Sequence, residues 1–294
     1  MTTSQDHATA ATVKDGAATR PWIVNAPTTR RWPSLGIGQL WTHRELVYFF
    51  ALRDLKARYK QAFLGVAWAG IQPLIGALMF TILFNRLADV EIDGPSYFAF
   101  ALLGSGVWAY FSSTLQAGTN SLLYNAELLT KVAFPRIVTP TATFLPGLID
   151  LAVAAVLAFV IALAAGGQLV PLGLALGLPS GLVLLVLAVA GPVYLLSAAV
   201  VKYRDVSTVV GFGVQLLLFA TPIAFPPDLV PPDWRTLLYL NPLSGAVGLL
   251  RWALVDTQVP TAAQLATSVA AALVLLLLGL VHFRRREREF ADII

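Results

Sequence analysis

Residues 138–165 read V-T-P-T-A-T-F-L-P-G-L-I-D-L-A-V-A-A-V-L-A-F-V-I-A-L-A-A, and only one of them, Asp150, carries a charge. A helix rises about 1.5 Å per residue, so roughly 20 apolar residues cross a bilayer core of about 30 Å. This run is long enough to span. Five others resemble it, at 64–87, 97–120, 173–200, 207–225 and 261–283. The run 207–225 is the shortest and closes at Thr221-Pro222 and Pro226-Pro227. Glycine and proline inside the runs (Pro73, Gly104, Gly106, Pro146, Gly191, Pro192) are tolerated where neighbouring helices satisfy the backbone or pack closely. The chain is 57% hydrophobic and 12% charged, against about 25% charged for a soluble domain. These features predict an all-α polytopic membrane protein with six transmembrane helices.

Charge sets the orientation. With residues 1–63, 121–137, 201–206 and 284–294 inside, seventeen of the twenty Lys and Arg residues are cytosolic. Only Arg86, Arg235 and Arg251 remain outside. That bias follows the positive-inside rule and predicts that both termini are cytosolic. It also accounts for the net charge of +4 without a nucleic-acid partner. Residues 1–43 are polar, rich in Ala and Thr, and show no signal-peptide core, so they are expected to form a disordered cytosolic tail. Residues 284–294 form a basic cytosolic tail. The stretch 234–257 is apolar but broken by Asn241-Pro242 and carries Arg251. As a seventh span it would put the basic tail outside. It is therefore expected to form two short helices that dip into the outer leaflet and meet at Asn-Pro.

Several segments bear on function. Residues 44–61 place Tyr48, Leu52, Leu55, Tyr59 and Phe63 on one helical face, with Arg53, Asp54, Lys56, Arg58 and Lys60 around the remainder. This predicts an amphipathic helix in the inner interface, with Asp54 and Arg58 spaced as an i,i+4 pair. It either anchors the chain to anionic lipid or also touches a cytosolic partner. Asp150 is the one acid deep in a span, a position that marks a functional candidate or a satisfied interhelical hydrogen bond. Asp89, Glu91 and Asp93 form either a cation site or a solvated loop. Aromatic residues cluster in and beside the second span, including Phe100, Trp108, Tyr110 and Phe111. Some belong to the interfacial belt, and the deeper group is a candidate for stacking on sugar rings.

Residues 125–136, N-A-E-L-L-T-K-V-A-F-P-R, form a cytosolic loop. A short helix from about Glu127 to Ala133, stopped before Pro135, would present Phe134 as an apolar knob. Glu127, Lys131 and Arg136 would rim it with charge, which is the chemistry of a docking surface. No catalytic constellation is recognisable, and the absence of cysteine excludes disulfides and thiol chemistry. No lysine follows a glycine, so no phosphate-binding Gly-Lys loop exists. The chain is expected to be no enzyme and to bind no cofactor or metal.

Four stretches in register, R-D-L-K-A-R-Y-K-Q-A-F-L-G-V-A-W (53–68), 125–136, Y-R-D-V (203–206) and L-N-P-L (240–243) followed by Arg251, resemble the membrane subunit of ABC-2 type polysaccharide exporters. These export O-antigen, capsule or teichoic-acid polymers across the bacterial cytoplasmic (inner) membrane. The resemblance implies a homodimer that binds two ABC nucleotide-binding subunits, which hold ATP and Mg. The implied substrate is a glycan on an undecaprenyl-type lipid. It also implies that Glu127 to Arg136, including Lys131, Phe134 and Pro135, is the coupling helix. Arg53, Asp54, Arg58, Tyr59 and Lys60 would belong to an interfacial helix that passes its tilt to the first span. Phe100, Trp108, Tyr110 and Phe111 would be candidate channel lining, and Asn241, Pro242 and Arg251 would lie in outer gate helices. An ABC-2 permease for a small lipid or drug shares the plan without the 53–68 and 125–136 motifs together. An ion-coupled lipid flippase would need more intramembrane acids than Asp150, and a membrane glycosyltransferase would need cytosolic metal-binding acids.

Overall fold

A computed structural model describes residues 37–60, 67–132 and 134–287. These residues are helical with short connections and belong to one compact unit, Pro33–Ile294. A short helix α1 (Ile37–Thr42) leads into α2 (Arg44–Tyr59). Next come α3 (Ala67–Phe80), prolonged by a π-type turn to Leu87, and α4 (Tyr97–Tyr124). The loop after α4 holds α5 (Ala126–Lys131) and α6 (Val138–Ala142), which bends into α7 (Pro146–Ala164). A second π-type turn, Gly173–Gly177, precedes α8 (Leu178–Lys202), which is followed by α9 (Val206–Phe219). The chain finishes with α10 (Pro232–Leu238), α11 (Pro242–Val255) and α12 (Ala262–Arg286).

Among the described residues, five helical segments are long and apolar enough to cross a membrane: Ala67–Leu87, Tyr97–Tyr124, Val138–Ala164, Gly173–Lys202 and Ala262–Arg286. The chain is therefore a multi-pass membrane protein. Five of the six expected spans correspond to these segments. The sixth, expected at 207–225, differs: α9 stops at Phe219 after 14 residues, about 21 Å of helix. Thr221 closes it, its hydroxyl bonding back to Leu217 O at 2.7 Å before Pro222 ends the run. The tail expected to be disordered from 1 to 43 is helical over Ile37–Thr42, and its earlier part lies outside the described residues. The basic tail begins inside α12, while 288–294 lies outside them.

The core forms around α4, whose membrane segment is the most enclosed, with α3, α7, α8 and α11 packed around it. Lipid tails are as apolar as leucine, so membrane helices associate through close contact, and small residues permit it. The α8–α12 pair shows this most sharply. A Cβ on Gly279 would sit 2.3 Å from the carbonyl oxygen of Gly191, and one on Gly191 would meet the Leu275 backbone at 2.5 Å. Two backbones touch there, which only glycine permits.

Overpacking a tight contact costs typically about 1–3 kcal/mol, and here the obstacle is backbone rather than a flexible side chain. Gly279→Val is expected to lower the melting temperature of the detergent-purified protein, followed by tryptophan fluorescence. Gly213→Ala, in α9, should leave it nearly unchanged, because nothing lies within 4 Å of its added methyl.

Candidate functional site

The α2 helix is held on two sides. Leu46, Val47, Phe50 and Ala51 pack with Val138 and Ala142 of α6. This face differs from the Tyr48 stripe expected from periodicity: Tyr48 is exposed, and Leu52, Leu55 and Tyr59 are half-buried. Phe63 lies outside the described residues. About two helical turns along the packed face comes Arg58, whose guanidinium bonds and ion-pairs with the Asp150 carboxylate of α7. Tyr59 donates its hydroxyl to the other Asp150 oxygen. Burial, then the Asp150 hydrogen bond, push the Tyr59 phenol up to about 12, so it remains a donor. The expected Asp54–Arg58 pair does not form. Asp54 instead accepts two bonds from Arg53, at 2.9 and 2.8 Å, and Lys60 is exposed.

An acid at the centre of a membrane helix costs roughly 2.5–3.5 kcal/mol on insertion scales, and pairing with a cation offsets that cost. Asp150 is thus an interhelical bond acceptor whose partners come from the interfacial helix. Nothing local in the sequence joins residues 92 positions apart.

The loop after α4 forms the expected short helix, at Ala126–Lys131. Its surface differs from expectation. Phe134 is not an exposed knob: it is half-buried, its ring 5.6 Å from that of Phe50, and it packs with the α2–α6 cluster. Pro135 is also half-buried, and Arg136 donates to the Glu287 carbonyl at the end of α12. The exposed apolar side chains are Leu128 and Val132, beside Glu127 and Lys131. The last two form a loose i,i+4 pair at 3.5 Å, too exposed to contribute much stability. Lys131 and Val132 follow Leu128 by three and four residues, so a helical count from Leu128 is the signal that brings them together.

The aromatic cluster of α4 sits in the core. Phe100, Tyr110 and Phe111 are 3%, 1% and 3% exposed, and Trp108, half-buried, stacks on Phe111 at 5.7 Å. The Tyr110 hydroxyl donates to Phe144 O at 3.2 Å. In this single chain the three buried rings pack among the helices, and Phe100 also borders a cavity beside Arg251 and Tyr239. On the outward side of α4, Gln116, Ala117 and Tyr124 are exposed and Ser113 and Asn120 are half-buried.

At the opposite end, α10 and α11 meet at Asn241-Pro242 as expected. Pro242 opens α11 where no amide is needed, and the Asn241 side chain caps it by accepting from Leu243 N at 3.1 Å. The same amide donates to Thr221 Oγ1 at 2.8 Å, tying α11 to the end of α9. Arg251 is buried and pairs with no carboxylate among the described residues. Its guanidinium lies 3.3 Å from the Phe100 ring centroid. It donates to Pro222 O at 2.7 Å, Ile223 O at 2.6 Å and Phe100 O at 3.3 Å. A cation that satisfies three carbonyls of two segments acts as a cross-brace between the Thr221–Ile223 turn and α4.

The family model described as "ABC-2 type transporter" matches residues 45–255. The chain is similar to the "O-antigen export system permease protein RfbA" of Myxococcus xanthus, 28% identical over 258 residues, covering 87% of this chain and 98% of that one. A protein of the same name from Klebsiella pneumoniae is 29% identical over 209 residues, 71% of this chain and 78% of its own. A second from Klebsiella pneumoniae is 26% identical over 253 residues, 85% and 95%.

Removing one partner of buried hydrogen bonds leaves the others unsatisfied, at about 1–3 kcal/mol per group. Arg251→Met is therefore expected to expose the turn at Thr221–Ile223 to proteolysis in intact protein, while Arg235→Met, whose partners are half-exposed, changes it little. Equal cleavage in both variants would contradict the brace.

Proposed function

Because the chain belongs to the ABC-2 type transporter family, we propose that it is the membrane-spanning permease subunit of an ATP-driven exporter of lipid-linked polysaccharide. Similarity to O-antigen export permeases along 98% of the length of the Myxococcus protein carries this reading. Two copies and two separate ATPase subunits make up the transporter, which resides in the cytoplasmic membrane with both termini inside. ATP and its Mg are bound by the ATPase subunits. In the dimer, α9 with the turn after it completes the sixth crossing. Helices α10 and α11 dip into the outer leaflet as the outer gate.

The exposed face of α5 supports the partner assignment. Leu128 and Val132 offer apolar surface on a cytosolic loop, and charge flanks them. Such surface marks an interaction site. Force applied to α5 has a short material route inward. The loop leads to Phe134, which packs on Phe50 of α2, and α2 holds the third span through Arg58, Tyr59 and Asp150. Closure of the ATPases on ATP would thus tilt α2 and shift the third span, beside the route to the first span that the resemblance implies. The residues joining α2 to α3 lie outside the described ones.

Co-expression with its cognate ABC ATPase subunit is expected to yield a complex that survives purification. Leu128→Asp with Val132→Asp should abolish capture of the ATPase while the permease still inserts. Glu127→Ala should keep the complex and lower surface polysaccharide by roughly 5–150-fold, the range of ordinary coupling energies. A permease that exports polysaccharide without any ATPase would overturn the reading.

A further inference from the structure

The uncovered face of α4 does not suit lipid. Ser113, Gln116, Asn120 and Tyr124 follow one another at three, four and four residues, which is one helical face. Elsewhere the uncovered faces of the spans are apolar, as with Val156 and Val160 of α7 and Leu277 and Leu278 of α12. The Ser113 hydroxyl and the Asn120 amide turn back to the helix, donating to Tyr110 O at 3.3 Å and Gln116 O at 2.9 Å. The Asn120 carboxamide oxygen and the Gln116 amide remain to be met from outside the helix. Polar groups at membrane depth face other protein or a wet cavity.

At Ser113 and Tyr124 this face borders a cavity of about 260 Å³ between α2, α4 and the start of α7, while Gln116 and Asn120 lie beside that cavity and outside its lining. Its lining includes Arg53, Arg58, Ser113, Thr114, Tyr124 and Asn125. The two cations are already answered within the chain, Arg53 by Asp54 and Arg58 by Asp150. What is left over is hydroxyl and amide, and the Tyr124 ring is 81% exposed at the end of the helix. The charge balance disfavours an anion and favours a neutral ligand rich in hydroxyls with an apolar ring face. The volume, below the roughly 300–1,000 Å³ of drug-sized pockets, suits a single sugar ring.

We propose that the Ser113–Gln116–Asn120–Tyr124 face of α4, with the cavity beside α2, is a subsite for neutral sugar residues of the exported chain on the inner side of the membrane. The assignment rests on the polysaccharide reading and locates the contact on polar residues rather than on the buried aromatic cluster.

The chain has no cysteine, so single cysteines report without background. Gln116→Cys, Asn120→Cys and the apolar-face control Val160→Cys would be placed in the full permease–ATPase complex in inverted membrane vesicles. A membrane-impermeant maleimide is the probe, and the use of two test positions guards against one variant failing to insert. Gln116→Cys and Asn120→Cys are expected to label and Val160→Cys to resist. In vesicles from cells making lipid-linked polysaccharide, labelling should slow about tenfold relative to cells lacking it, the protection given by a ligand at about nine times its Kd. Added inorganic pyrophosphate should give none. Disulfide-linked dimers at these positions would make the face a contact between copies and overturn the proposal. So would labelling that polysaccharide does not slow, or protection by pyrophosphate. Polysaccharide export by the parent chain is measured in the same strain. Export without protection sinks the subsite alone, whereas no export sinks the polysaccharide reading and the subsite with it.

Discussion

The carboxylate of Asp150 is the constraint around which the inner half of the molecule is arranged. It lies inside a span, where an unpaired charge is expensive. Both its oxygens are met by adjacent residues of one helix, Arg58 and Tyr59 of α2. An interfacial helix would otherwise be free to slide in the headgroup layer. Here its last turn is fastened to the third span, and its middle is fastened to α6 through Phe50 and Ala51. Because Phe134 packs on Phe50, the loop after α4 is attached to the same rigid piece. The geometry makes α2 an arm between that loop and the third span.

The outer half is built on a different balance. Arg251 is buried in the core, yet its two terminal nitrogens are met by carbonyls and its plane by an aromatic face rather than by an acid, while its Nε has no hydrogen-bond partner. Gly104 makes that possible, since a Cβ there would meet the Arg251 guanidinium and Ile223 O at 2.6 Å. The Asn241 side chain then caps α11 and holds Thr221 at once. One arginine, one asparagine and one glycine thus bind the ends of α4, α9 and α11 into a unit. A unit of that kind can move as a rigid gate, as the proposed function requires.

Much of this was legible in the sequence and part was not, for physical reasons. Length and hydropathy located five spans, and the Asn-Pro pair located the junction of α10 and α11. Periodicity failed where both sides of a helix are apolar. In α2 the Tyr48 stripe and the Phe50 stripe are equally hydrophobic, and only packing tells which one meets protein. In α4 periodicity could not tell which aromatic residues face the other helices, and packing buries Phe100, Tyr110 and Phe111 among them. The polar spacing of Ser113, Gln116 and Asn120 was the better guide to the uncovered face. Arg58 and Asp150 could not be paired from sequence, because the contact spans 92 residues and two elements.

If α2 is an arm, its attachment to the third span must be an energetic coupling and not only a contact. Thermal unfolding of the permease in lipid nanodiscs, measured for Arg58→Met, Asp150→Asn and the double variant, tests that most directly. The fastening predicts a coupling energy of about 0.5–3 kcal/mol, with the double variant losing less than the two singles combined. Single effects that add within about 0.3–0.5 kcal/mol would contradict it.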